Sequence, residues 1–119
     1  MPLRCVLSQP LLSTGCWVTA MTPESAVKAK VVKILKEHGV YYFYPVTGGF
    51  GRSGIPDIIC CVNGVFLAIE CKAGKNKPTP LQEMEMQKIR DAGGAAMVIN
   101  ETNTKDVVDI LDTLIGDVP

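Results

Sequence analysis

The sequence predicts an α/β protein with a mixed central sheet flanked by helices. Three observations predict it. Strand-sized apolar runs and amphipathic helical stretches follow one another in the order α-β-β-β-α-β-α from Met21 onward. Thr22-Pro23 and Thr79-Pro80 are each an N-cap followed by proline at the first helical position. Asn63-Gly64 stands between two apolar runs, the strongest short hairpin signal a sequence offers. A chain of 119 residues, 47% of them hydrophobic, suits one domain with a real core and argues against disorder.

The domain is expected to span 21–119 and to open at Met21, since "MTPES" is a good protein start. Residues 1–20 end in Val-Thr-Ala, loosely like a secretion signal, but Gln9, Pro10, Ser13, Thr14 and Gly15 interrupt the apolar stretch. They read as a variable N-terminal extension or a start-site artefact. The first helix should run from Pro23 to about His38, stopped by Gly39, with Val27, Val31, Ile34 and Leu35 as its apolar stripe. Lys28, Lys30, Lys33 and Lys36 fall mostly outside that stripe. Glu24 heads the inward side, where an acid in the first turn also suits the helix dipole.

Val40 to Val46 reads as the first strand, and Thr47 to Gly54 as a glycine-rich loop. Four glycines in eight residues permit close backbone approach or a mobile loop; no P-loop or dinucleotide fingerprint is present. After the hairpin comes a basic loop, Ala73 to Pro80. A second helix runs to about Ala92, stopped by Gly93-Gly94; Ala95 to Asn100 is a strand, and Thr104 to Ile115 a last amphipathic helix.

A net charge of zero argues against a general nucleic-acid coat protein. The charge is uneven, however: residues 1–100 carry a net +4 and residues 101–119 a net −4, so a basic surface can coexist with an acidic C-terminal helix. No apolar run approaches the roughly 20 residues needed to span a bilayer. Five cysteines with no CxxC, and His38 as the single histidine, argue against a zinc site. Cys60 and Cys61 are strand neighbours on opposite faces. Together with Cys71 they read as small buried apolar residues in a reducing cytosol, so the expected location is cytoplasmic.

Three charged residues do not belong in the hairpin "GIPDIICCVNGVFLAIECK". A two-residue turn without a bulge pairs Val62 with Val65 and, continuing outward, Asp57 with Glu70. Opposed side chains have Cβ atoms about 4.5–5.5 Å apart, where two carboxylates repel unless one is protonated or a cation lies between them. Lys72 shares their face. A salt-bridge cluster at a sheet end is the plain alternative. A hard divalent cation such as Mg²⁺ suits two carboxylates, a backbone carbonyl and water, and can activate a water and stabilise charge on a phosphate.

Pro56-Asp57 followed after a gap of twelve by Glu70-Cys71-Lys72 resembles the PD-(D/E)xK nuclease signature, and the stretch from Gly51 to Ile99 resembles the VRR-NUC nuclease family, small stand-alone phage-type members above all. The resemblance implies a restriction-endonuclease-like αβββαβ core. It implies Asp57, Glu70 and the Cys71 carbonyl as ligands of Mg²⁺, with Mn²⁺ as a substitute. Lys72 would be the catalytic lysine, Glu24 a contact to water on the metal, and Gln82 the glutamine that follows the catalytic strand. A buried, hydrogen-bonded glutamine facing inward with Met86 and Ile89 is the plain alternative for Gln82. Arg52 and Ser53 are candidates for phosphate contact, and Lys75 and Lys77 for following a DNA backbone.

The activity implied is a metal-dependent DNA endonuclease acting on branched DNA such as four-way (Holliday) junctions, as a homodimer. A flap-cutting, nicking or restriction-type nuclease is the second reading; sequence-specific restriction normally needs more chain for base readout. A non-catalytic DNA-binding subunit would have no chemical need for Asp57, Glu70 and Lys72. A thiol protein built on Cys60-Cys61 lacks an exposed CxxC.

Overall fold

The computed structural model describes residues 22–46 and 53–116. The N-terminal extension, most of the glycine-rich loop and Arg52 lie outside the described residues. The elements are α1 (Pro23–Glu37), β1 (Tyr41–Phe43), β2 (Ile58–Val62), β3 (Val65–Cys71), α2 (Pro80–Asp91), β4 (Ala95–Ile99) and α3 (Lys105–Gly116). This is the expected order. The sheet runs β1-β2-β3-β4, antiparallel at its first two junctions and parallel at β3–β4, where α2 forms the crossover.

Local chemistry sets the boundaries. The Thr22 side chain accepts the Ser25 N–H at 3.0 Å and starts α1. The helix ends at Gly39, whose φ of +67° lets the Val40 N–H reach back to the Leu35 carbonyl at 3.0 Å. That bond removes Val40 from the sheet, and Pro45 has no N–H to donate. The strand expected over Val40 to Val46 is therefore only Tyr41–Phe43. At the hairpin, Asn63 and Gly64 have φ of +51° and +84°, the positive values a tight two-residue turn needs. The register runs from Val62↔Val65 to Ile58↔Ile69, as the turn length predicts. The Asn63 side-chain amide also donates to the Leu114 carbonyl at 3.0 Å, docking the turn on α3.

Ile58, Cys60, Val62, Leu67, Ile69, Cys71 and Ile99 point to the face that packs against α1 and α3. There they meet Val27, Val31 and Leu35 of the first helix and Val107 and Leu111 of the last. The opposite face carries Ile59, Ala68 and Glu70, and α2 covers it on the β4 side with Met86 buried. This corrects the reading of Cys61. Cys60 is buried on the core face, but Cys61 is exposed, because its face is covered by α2 only toward β4 and Cys61 lies toward β1. Burial pushes the thiols of Cys60 and Cys71 up to about 12, which leaves both as packing residues.

Leu35 is fully buried between α1 and the sheet. Leu35→Ala should lower stability by about 3 kcal/mol. A urea melt would show this as an earlier midpoint, while Lys30→Ala on the exposed side of the same helix should leave the midpoint almost unchanged.

Candidate active site

The hairpin ladder ends at Ile58↔Ile69, so the next positions outward are Asp57 and Glu70. Pro56 is buried, and Asp57 sits in a bend one residue before β2. One oxygen of its carboxylate (Oδ2) accepts the Cys71 N–H at 2.9 Å. Asp57 thus ties the entry of β2 to the exit of β3. The Lys72 N–H continues the parallel ladder onto the Ile99 carbonyl at 2.9 Å, so the backbone that carries Lys72 is held as well.

Glu70 is only 2% exposed. Its Oε2 accepts the Gln82 side-chain N–H at 2.9 Å and lies 3.4 Å from Lys72 Nζ. Its Oε1 is buried and has no hydrogen-bond partner among the described residues. Burial, then the nearby charge of Asp57 and, more weakly, Glu24 push the Glu70 carboxyl up to about 7, against the pull of Lys72.

Gln82 is held at both ends. Its side-chain carbonyl accepts the Thr79 N–H at 2.8 Å while its backbone N–H donates to the Thr79 hydroxyl at 3.2 Å, a capping box at the start of α2. With the carbonyl engaged, the amide nitrogen is the end that faces Glu70. The cap thus fixes which way the amide points. The pattern Thr79-x-x-Gln82 is legible in the sequence and would have supplied this orientation. Gly54, with φ of +83°, lies flat against this helix start. A Cβ there would stand 2.6 Å from the Leu81 carbonyl oxygen, so glycine brings the Asp57 loop against α2 where any other residue would collide.

On the other side of Asp57, a small cleft of about 110 Å³ is lined by Glu24, Lys28, Asp57 and Cys71. A second cleft, of about 380 Å³, brings Ser53 and Lys28 to Asp57. The structure therefore gathers Glu24, Ser53, Asp57, Glu70, Cys71, Lys72 and Gln82 around one end of the sheet. Lys75 and Lys77 stand exposed on the following loop, which the Glu101 carboxylate holds at the Gly74 N–H (3.0 Å). Lys28 escaped sequence reasoning as a member of the site; its signal was its place four residues after Glu24, on the same helical face.

Two carboxylates at a sheet end, one of them with an oxygen left open, are the kind of oxygen donors a hard divalent cation accepts. Among the described residues no three His, Cys, Asp or Glu side chains form a complete ligand cage. The unpartnered Glu70 Oε1 is the best fit of these residues to a cation, since a buried carboxylate oxygen otherwise stands without compensation.

Residues 24–112 match the family model described as archaeal Holliday junction resolvase (Hjc). The chain belongs to that family. The matched span holds Glu24, Asp57, Glu70, Lys72 and Gln82, and membership makes the chain a nuclease in class. Among curated proteins it is similar to the putative nuclease p44 of Acyrthosiphon pisum secondary endosymbiont phage 1. The two are 29% identical over 86 residues, covering 71% of this chain and 89% of that one. Among solved structures it is similar to a VRR_NUC domain, with a TM-score of 0.61 and 24% identity over 76% of this chain and 96% of the other. That likeness bears on the fold, and it is the fold the sequence predicted.

The raised Glu70 pKa has a signed consequence for the metal-free protein. The unfolded carboxyl ionises above its ordinary 4.5, whereas the folded one keeps its proton up to about 7. Within that window the folded state binds more protons, so stability falls as pH rises. In chelator, the wild type should lose on the order of 2 kcal/mol between the two ends of the window relative to Glu70→Gln. Parallel denaturant melts of the two proteins across that range check it.

Proposed function

We propose that the chain is a divalent-metal-dependent DNA endonuclease that cuts branched DNA, acting as a four-way junction resolvase and as a homodimer. The observation that carries the reading is the buried Glu70 carboxylate, its Oε1 without a partner among the described residues and its Oε2 beside Lys72. Asp57, Glu70 and the Cys71 carbonyl would hold the metal, with Glu24 supporting a water on the α1 side. When bound, Mg²⁺ (or Mn²⁺ in its place) supplies a Lewis acid for the phosphoryl oxygens and lowers the pKa of water.

The chain's own groups do the rest. Gln82 keeps Glu70 aimed by binding its Oε2, so the other oxygen stays available. Lys72, beside the same Oε2, orients the attacking water and neutralises charge that grows on the phosphate. Ser53 lines the Asp57 cleft, where a hydroxyl can donate to a phosphate oxygen. Lys75 and Lys77 are placed to follow the DNA backbone beyond Lys72. The branched substrate is supported by the description of the matching family model, and nuclease activity also by the name of the phage relative. A two-fold dimer would put two such sites on a dyad, which suits paired nicks in a symmetric junction.

The test is cleavage of labelled four-way junction, flap, single-stranded and linear duplex DNA, each with Mg²⁺, Mn²⁺ or EDTA. Symmetric, metal-dependent nicking of the junction is expected. Lys72→Ala should lower its rate at least about 100-fold with the fold intact. Metal-dependent cutting of flaps or of every duplex would keep the nuclease and discard the resolvase. Cleavage that persists in Lys72→Ala would overturn the site.

A further inference from the structure

The clefts beside Asp57 do not end at the acids. The cleft of about 110 Å³ at Glu24, the one of about 380 Å³ at Ser53 and a third of about 530 Å³ along α1 all share Lys28. Tyr44 lines the second and the third, and Lys33 and Lys36 line the third. The three clefts adjoin at Lys28 and so outline a path from Asp57 past Tyr44 to the C-terminal half of α1. We propose that the DNA strand being cut continues along this path, its phosphates held by Lys28, Lys33 and Lys36. The proposal rests on the nuclease reading above and adds the track by which the substrate leaves the site.

Charge and spacing support it. Among the described residues the far cleft has three lysines against a single acid, Glu37, so their field favours a polyanion. At the helical rise, Lys28 to Lys36 covers about 12 Å, comparable to the axial length of three or four nucleotides of one strand. Lys28 also holds its ammonium 4.5 Å from the centroid of the Tyr44 ring, a contact that keeps the cation at the junction of the three clefts. Tyr44 is 46% exposed, leaving part of its ring free toward the path. Lys30, on the same helix and exposed as Lys33 and Lys36 are, does not line the groove and is a control for charge alone.

The experiment is the salt dependence of binding of a fluorescent four-way junction to the full chain in EDTA, so that cleavage does not intrude. Lys33→Gln/Lys36→Gln is compared with wild type and with Lys30→Gln. Lys28 is left intact because it borders the acids. Loss of two phosphate contacts should reduce the slope of log affinity against log salt by about 1.8, with Lys30→Gln close to wild type. An unchanged slope in the double variant, with the wild type still cutting the junction in Mg²⁺, would overturn the track and leave the nuclease standing. A drop in Lys30→Gln equal to half that of the double variant would also overturn it, because any surface lysine would then serve. Wild type that neither binds nor cuts DNA would overturn the nuclease reading and the track together.

Discussion

The burial of one carboxylate at the end of β3 is the constraint around which the molecule is arranged. A strand as apolar as β3 puts alternate residues into the core and onto the face beneath α2, and Glu70 takes one of the covered positions. Water cannot solvate it there. A lone ion in such a place would be strongly disfavoured, so the fold must supply hydrogen bonds, a counter-charge, a proton or a cation. Gln82 and Lys72 serve one oxygen, and the other is left open. The raised pKa expresses the same imbalance.

Elements remote from the acid bear on this arrangement. The hairpin turn sets the register that leaves Asp57 just beyond the ladder beside Glu70, and the Asp57 carboxylate then clamps the end of β3 through the Cys71 N–H. The capping box of α2 aims Gln82, and Gly54 allows the Asp57 loop to lie against that same helix start. The core formed by α1, α3 and the inner sheet face supports the strand ends from which the acids project. Stability is given up locally at the site, and the apolar packing elsewhere offsets it.

Much of this was legible in the sequence because it depends on short-range rules. Asn63-Gly64 determines a two-residue turn, the turn determines the register from Val62↔Val65 to Ile58↔Ile69, and that register leaves Asp57 and Glu70 as the next residues outward. Thr22-Pro23 and Thr79-Pro80 located two helix starts to the residue. The misreadings arose where tertiary context decides. The extent of β1 depended on the Val40 N–H being taken by the helix end. The exposure of Cys61 depended on how far α2 reaches across the sheet, which no local pattern encodes. Lys28 reads as an ordinary solvated lysine until the packing of α1 brings it beside Asp57. The pattern Thr79-x-x-Gln82 was present but its second bond, to Glu70, needed the fold.

The most direct test of the central claim is calorimetric titration of Mn²⁺ into the full chain at pH 7, in two buffers of different ionisation enthalpy, with wild type and Glu70→Gln. If Glu70 is a carboxylate kept open for a cation, one Mn²⁺ site per chain should bind and release about half a proton, and both binding and release should fall sharply in the variant. Binding with no proton release, or binding that Glu70→Gln leaves unchanged, would contradict the account and return Glu70 to the status of a buried salt-bridge partner of Lys72.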